Sequence, residues 1–147
     1  MKARPEVLRA IASLQRVAEL FAERRRQLAR EADLTEAQWR VLEEAAGEDF
    51  MPSMFARRRA CTPAAVSRTL RQLLDRDLVR ASIGASDGRH RVYRLTANGR
   101  RTLAALSENR ARAIEAVWEG LSPEELRAFT RFASDLADRL EAYLGSH

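Results

Sequence analysis

A tight connection at Ala60-Cys61 joins two predicted helices and limits how the middle of the chain can fold. The first is a short helix over about residues 52–59. The second begins at Thr62-Pro63, a pair typical of the N-cap and the first helical position. Its apolar residues repeat at helical spacing and predict a buried stripe of Val66, Leu70, Leu73 and Leu74. The segment therefore predicts a helix, a tight turn and a second helix.

A predicted β-hairpin follows directly. Residues 78–81 are a short strand candidate, and residues 91–95 alternate in polarity like a second strand. Between them lies a cluster of turn residues, Gly84, Ser86, Asp87 and Gly88. Two short helices followed by a basic hairpin indicate a winged helix-turn-helix. In that fold the second helix fits the DNA major groove, and the hairpin, or wing, can reach the backbone or the adjacent minor groove.

Amphipathic helices flank this region. One is predicted over about residues 5–30, and another begins at Thr35, with Gln38 as its capping-box partner. Two more begin at residues 96–99 and 122–125. We predict a mainly α (α+β) fold of about six helices and a β-hairpin wing. Residues 1–147 form a single protomer, with a DNA-binding lobe at 32–99 and dimerisation helices at 1–31 and 100–147.

Basic charge is concentrated in the middle of the chain. Residues 51–101 hold 12 basic and 3 acidic side chains, a net charge of +9, whereas residues 1–50 carry −1 and residues 102–147 carry −3. Arginine accounts for 25 of the 26 basic residues, and its planar guanidinium binds phosphates and guanine edges. A basic block between near-neutral and acidic blocks is typical of a nucleic-acid-binding face on a scaffold.

The helix that begins at Thr62 carries most of the predicted DNA contacts. Its first turn holds Pro63-Ala64-Ala65 and no acidic residue, which leaves its positive end open to a phosphate. In the hairpin, Asp87 can orient Arg89 by a charge-assisted hydrogen bond, which favours its entry into a narrow minor groove. The predicted DNA-binding residues are Thr62, Pro63, Ala64, Ala65, Ser67, Arg68, Arg71, Asp87, Arg89 and Arg91. The alternatives are a solvated helix face and an ordinary Asp-Gly turn.

Several of these motifs together resemble the MarR (multiple-antibiotic-resistance regulator) family. They lie at residues 34–42, 56–58, 62–68, 73–79, 87–89 and 95–99. The most specific part is the hairpin Asp-x-Arg set before the Leu-Thr-x-x-Gly helix start. The resemblance covers about residues 30–105 and implies a homodimeric transcriptional regulator of bacteria or archaea that binds a pseudo-palindromic operator. It further implies a repressor that is released by a small, often phenolic or anionic, ligand.

The sequence departs from the family pattern at three positions. Arg59 stands where the family usually has an apolar residue, Ala60 replaces the usual turn glycine, and Asp77 replaces a glycine before Leu78. Alanine and aspartate at left-handed positions cost about 1 kcal/mol each unless the turn geometry differs.

The helices at the two ends favour a dimer, because a chain of this size cannot bury all of their apolar residues alone. Packing two copies together would set two recognition helices about 34 Å apart. It would bury Leu8, Ile11, Leu14, Phe129, Phe132, Leu136, Leu140 and Tyr143. The alternative is that these stripes complete a monomer core.

Two kinds of signal are compatible with the sequence. A small ligand between the dimer platform and the DNA-binding lobe would be lined by Arg16, Trp39, Met51, Met54 and Phe55. The alternative is a redox-responsive regulator that uses Cys61, since nearby arginines favour a thiolate. We favour a structural role for Cys61, because its place in the turn matches a small buried hydrophobe.

Other classes of function have less support. The sequence has no Ser/His/Asp arrangement, Cys/His cluster or phosphate-binding glycine loop, so we predict no enzyme activity, no metal site and no cofactor. One cysteine and the lack of an apolar stretch of ~20 residues predict a cytoplasmic protein without a membrane partner. The predicted partners are double-stranded DNA, a second copy of the chain and a small-molecule effector. A nonspecific DNA-binding architectural protein is the alternative.

Overall fold

The computed structural model describes residues 2–47, 50–83 and 91–147. In these ranges the chain forms six helices and one antiparallel hairpin, which confirms the predicted mainly α fold. The elements are, in order, α1 (Pro5–Glu31), α2 (Glu36–Ala45), α3 (Pro52–Arg58), α4 (Pro63–Asp75), β1 (Val79–Ile83), β2 (Arg91–Leu95), α5 (Ala97–Trp118) and α6 (Pro123–Gly145).

The chain divides into two compact units, Met1–Arg110 and Ala111–His147. The first contains the hydrophobic core, which is built from the end of α1, the inner faces of α2 to α4, the hairpin and the first half of α5. Leu42, Leu73 and Val79 are its largest fully buried side chains. Because hydrophobic residues of every element in this unit meet in one cluster, α4 and the hairpin have a common support.

Helix α4 buries most of the predicted stripe. Val66, Leu70 and Leu73 are buried, while Leu74 is half-buried and packs against the core. Thr69 is also buried, and its hydroxyl donates a hydrogen bond of 3.0 Å to the carbonyl oxygen of Ala65. That internal bond satisfies the hydroxyl, so a polar residue can occupy the buried face.

The predicted helix starts are confirmed by their capping bonds. At α2 the Thr35 hydroxyl accepts the Gln38 N–H at 3.0 Å, and the Gln38 side chain accepts the Thr35 N–H at 3.1 Å. At α6 Ser122 and Glu125 form the same reciprocal box. At α4 Thr62 caps the N–H of Ala65 at 3.1 Å, with Pro63 in the first helical position.

Three helices end in left-handed residues that are not glycine. Asp33, Ala60 and Asp77 have φ values of 56°, 50° and 55°. Each follows the C-cap of α1, α3 or α4, and in each case the next N–H returns to a carbonyl in the last turn of that helix, at 2.8–3.0 Å. These are Schellman endings. The turn geometry at Ala60 and Asp77 is therefore the strained, left-handed one, although neither residue is glycine.

Gly99 is required where α5 meets the entry to the hairpin. A Cβ at this position would lie 2.1 Å from the carbonyl oxygen of Leu78. Thr96 completes the junction, because its hydroxyl accepts the Gly99 N–H at 3.0 Å and donates to the carbonyl oxygen of Asp77 at 2.6 Å. The Leu-Thr-x-x-Gly motif thus joins the hairpin to α5 by close backbone contact.

The second unit contains the end of α5, the turn at Gly120 (φ 92°) and helix α6. None of the residues in α6 is buried. Among the described residues no helix is both long and apolar enough to cross a membrane.

Candidate nucleic-acid interface

Helix α4 presents the predicted contact residues on one exposed face. Thr62, Pro63, Ala64, Ser67, Arg68 and Arg71 are exposed, and Ala65 is half-buried. The face opposite to them is anchored in the core through Val66, Leu70 and Leu73. The structure therefore brings these seven predicted residues together on a single rigid element.

The first turn of α4 keeps backbone donors available. Pro63 has no N–H group, and the N–H of Ala65 is capped by Thr62. The N–H groups of Thr62 and Ala64 have no hydrogen-bond acceptor in the part of the chain that the structure describes. No acidic residue lies in this turn, so the positive end of the helix is open to an anion.

The arginines around α4 fall into two groups. Arg58 and Arg59 both face Glu44, with N···O distances of 3.1 and 3.8 Å, and Arg76 lies 3.5 Å from Asp33. Arg68 and Arg71 form no ion pair with any described residue. The guanidinium groups of Arg68 and Arg71 on the outward face of α4 are thus not neutralised by a carboxylate among the described residues.

The hairpin pairs β1 and β2 with Val79 opposite Leu95 and Ile83 opposite Arg91. Arg91 is exposed at the start of β2. The tip residues Asp87 and Arg89 lie outside the described residues. The predicted strand at 78–81 is observed as Val79–Ile83, one residue later at its start and two at its end, because pairing with β2 extends it.

Two exposed arginines of the wing were not among the predicted contacts. Arg80 and Arg94 lie directly opposite each other in the ladder, on the face that alternates with buried Val79 and Leu95. Like charges in this arrangement repel, so a bound anion between them would be favoured. The strand register is the feature that identifies these two arginines, since residues one position away from a buried cross-strand pair lie together on the outer face.

The predicted ligand residues are not gathered into one site. Trp39 is buried, carries the Arg25 guanidinium 4.1 Å from its ring centroid, and lines a cavity of about 170 Å³. The other lining residues of that cavity are Glu43, Ala46, Leu103, Leu106, Ser107 and Arg110.

The remaining four predicted ligand residues do not line the Trp39 cavity. Phe55 belongs to the core, where it packs edge-on to Phe50 at 6.1 Å. Arg16, Met51 and Met54 are exposed.

Cys61 is half-buried and packs against the core. Its Sγ atom lies 3.8 Å from the carbonyl oxygen of Ala56, and its backbone N–H closes the ending of α3. These contacts agree with a packing role for the side chain.

Two helices expose apolar faces. On α1, Leu8, Ile11, Leu14 and Val17 are 44–56% exposed. In the second unit, Phe129, Phe132, Leu140 and Tyr143 of α6 are 50–64% exposed. These side chains do not belong to the hydrophobic core of the chain, so α1 and α6 both keep exposed apolar residues.

The fold is similar to solved MarR-family regulators over most of the chain. The MarR family transcription regulator SP03579 matches with a TM-score of 0.81 and 17% identity, over 97% of this chain and 94% of that one. MarR of Staphylococcus aureus, solved in complex with salicylate and kanamycin, matches with a TM-score of 0.74 and 16% identity, over 92% and 93%.

A mutant of S. aureus MepR bound to an oligodeoxyribonucleotide matches with a TM-score of 0.65 and 19% identity, over 89% of this chain and 97% of that one. No family model matches the sequence, and neither does any curated protein. The likeness in structure nevertheless covers 89–97% of this chain in these three matches. The chain therefore has the winged helix-turn-helix fold of the MarR family transcription regulators.

Proposed function

We propose that this chain is a sequence-specific DNA-binding transcription regulator of the MarR type. The observation that carries the proposal is the outward face of α4, where exposed Arg68 and Arg71 lie beside an open helix N-terminus. An α-helix fits the major groove, and arginine on such a helix pairs with guanine through two hydrogen bonds. The oligonucleotide bound to the related MepR mutant supports the same use of the fold here.

The regulator acts as a homodimer on an inverted repeat. Burying an apolar side chain such as leucine or phenylalanine is worth about 1.5–3 kcal/mol, and the faces of α1 and α6 each leave several half exposed. Two copies that cover these faces would present two α4 helices with two-fold symmetry. In sedimentation experiments we expect a mass twice the 16.6 kDa of the chain. Phe132→Asp should shift the measured mass towards that of the single chain.

A small ligand relieves repression by changing the spacing of the two α4 helices. The cavity beside Trp39 is the supported site, since it combines an aromatic ring with the Arg110 guanidinium in about 170 Å³. The ring and the guanidinium fit a small aromatic acid whose carboxylate lies towards Arg110 and away from the Glu43 carboxylate, which also lines the cavity. The salicylate bound by the related S. aureus MarR is a compound of that class.

The DNA proposal is tested by selecting duplexes from a randomised pool and measuring affinity over a salt series. We expect enrichment of an inverted repeat. Arg68→Ala should still bind this repeat but should lose about tenfold or more of its discrimination between base pairs at one position per half-site. Arg127→Ala on α6 removes the same charge elsewhere and leaves discrimination unchanged. Equal affinity for every duplex would overturn the proposal and favour a nonspecific architectural protein.

A further inference from the structure

Gln38 has more hydrogen bonds than a helix cap requires. Gln38 is only 8% exposed. The Oε1 atom accepts the Thr35 N–H at 3.1 Å and also Nη1 of Arg76 at 3.2 Å. The Nε2 atom donates to Oε1 of Gln72 at 3.0 Å. One buried amide therefore closes the start of α2 and bonds two side chains of the recognition region, 34 and 38 residues further along the chain.

The two distant partners are placed one turn apart at the end of α4. Gln72 and Arg76 are four residues apart, so they lie above one another along the helix axis. Two directional bonds at separate heights restrict both the rotation of α4 about its axis and its sliding along α2. Gln72 adjoins Arg71 in sequence and lies one turn after Arg68, so the restrained segment is the one that carries the exposed arginines.

We propose that Gln38 is a positioning residue that sets the rotation of α4, and through it the aim of Arg68 and Arg71. This inference rests on the proposed function. Side chains of a helix extend to about 5–6 Å from its axis, so a rotation of about 15° moves their ends by roughly 1.5 Å. A hydrogen bond tolerates a spread of only about 0.5 Å in length, and a paired contact to one base would be lost. A phosphate contact made by a point charge is less sensitive to such a shift.

Gln38 is the principal anchor of Arg76. The other polar partner of Arg76 is Asp33, whose carboxylate lies 3.5 Å away on a side chain that is 99% exposed. Exposed ion pairs contribute little because water and salt screen them. The bond from Arg76 to buried Gln38 is shorter and less accessible to water. The amide on α2 is therefore a stronger polar partner of Arg76 than the carboxylate after α1.

The test compares Gln38→Met with a matched control in the other capping box. Methionine keeps the length and packing of Gln38 and removes its three hydrogen bonds. Glu125→Met removes the same capping bond from Ser122 at α6, in the second compact unit. Both variants lose one capping bond, and the thermal stability of Gln38→Met should fall further because its bonds to Gln72 and Arg76 are lost as well. We measure the ratio of affinities for the duplex that the unmodified protein selects and for a duplex with scrambled half-sites.

We expect this ratio to fall by about tenfold in Gln38→Met and to stay unchanged in Glu125→Met. Gln38→Glu should restore it, because a carboxylate keeps both acceptor bonds and the Gln72 amide can turn its NH₂ group towards it. Arg76→Met leaves the capping box intact and should also lower the ratio, which keeps the test valid if Gln38→Met does not fold.

An unchanged ratio in Gln38→Met or in Arg76→Met, or an equal fall in Glu125→Met, would overturn the positioning role and leave the regulator proposal intact. If the unmodified protein selects no duplex, the regulator proposal itself fails.

Discussion

Replacing Ala60 by glycine should stabilise the protein, against the usual effect of such a change. Ala60 is exposed, has a φ of 50° and closes α3 with its N–H 3.3 Å from the carbonyl oxygen of Arg57. A left-handed residue with a Cβ costs about 1–2 kcal/mol, whereas glycine adds about 0.4–1 kcal/mol of unfolded-state entropy. The difference predicts that Ala60→Gly raises the free energy of unfolding by about 0.5–1 kcal/mol.

Ala46→Gly is the matched control for this substitution. Ala46 is also an exposed alanine at a helix end, after α2, but its φ is −70°. No strain is relieved there, so glycine should lower the free energy of unfolding by about 0.5–1 kcal/mol. Urea denaturation at one fixed protein concentration measures both changes, since the unfolding of a dimer depends on concentration. Changes of the same sign in the two variants would refute the reasoning about left-handed strain.

Two further substitutions test the hairpin junction and the arginine groups. Gly99→Ala places a Cβ 2.1 Å from the Leu78 carbonyl oxygen and should destabilise the protein by about 1–3 kcal/mol. The control Gly145→Ala, where a Cβ meets nothing within 4 Å, should change the stability little. Equal melting temperatures of the two variants would count against the close junction. Glu44→Gln frees the guanidinium groups of Arg58 and Arg59 and should strengthen binding to all duplexes and steepen the salt dependence by about one to two charges. Fluorescence anisotropy over a salt series measures the latter, and an unchanged slope would show that these arginines do not approach DNA.

The sequence predicts best what depends on neighbouring residues. Thr35 with Gln38, Thr62 with Pro63, and Ser122 with Glu125 are capping pairs within one turn, and all three helix starts are observed. Their chemistry is local, so no knowledge of the fold is needed to interpret them. The family resemblance, and not the local rules, marked Ala60 and Asp77 as positions usually held by glycine, and both residues have a positive φ.

Features that depend on distant residues could not be predicted in the same way. The bonds from Gln38 to Gln72 and Arg76 arise only when α2 packs against α4. Opposition of Arg80 to Arg94 requires the strand register, and the burial of Thr69 requires the packing of α4. The predicted ligand residues were chosen by their chemical type and their place in the predicted fold, neither of which shows which side chains meet. Trp39 lines a cavity, whereas Met51 and Met54 are exposed.

In the proposed dimer, two α4 helices read successive major grooves on one side of DNA. Hydroxyl-radical footprinting on the selected duplex tests it most directly, because it reports every protected sugar along both strands. We expect two symmetric protected half-sites whose centres are about 10–10.5 base pairs apart, or a small multiple of that distance. Arg68→Ala should weaken the protection in both half-sites. A single protected half-site, or uniform protection without a two-fold centre, would contradict the claim.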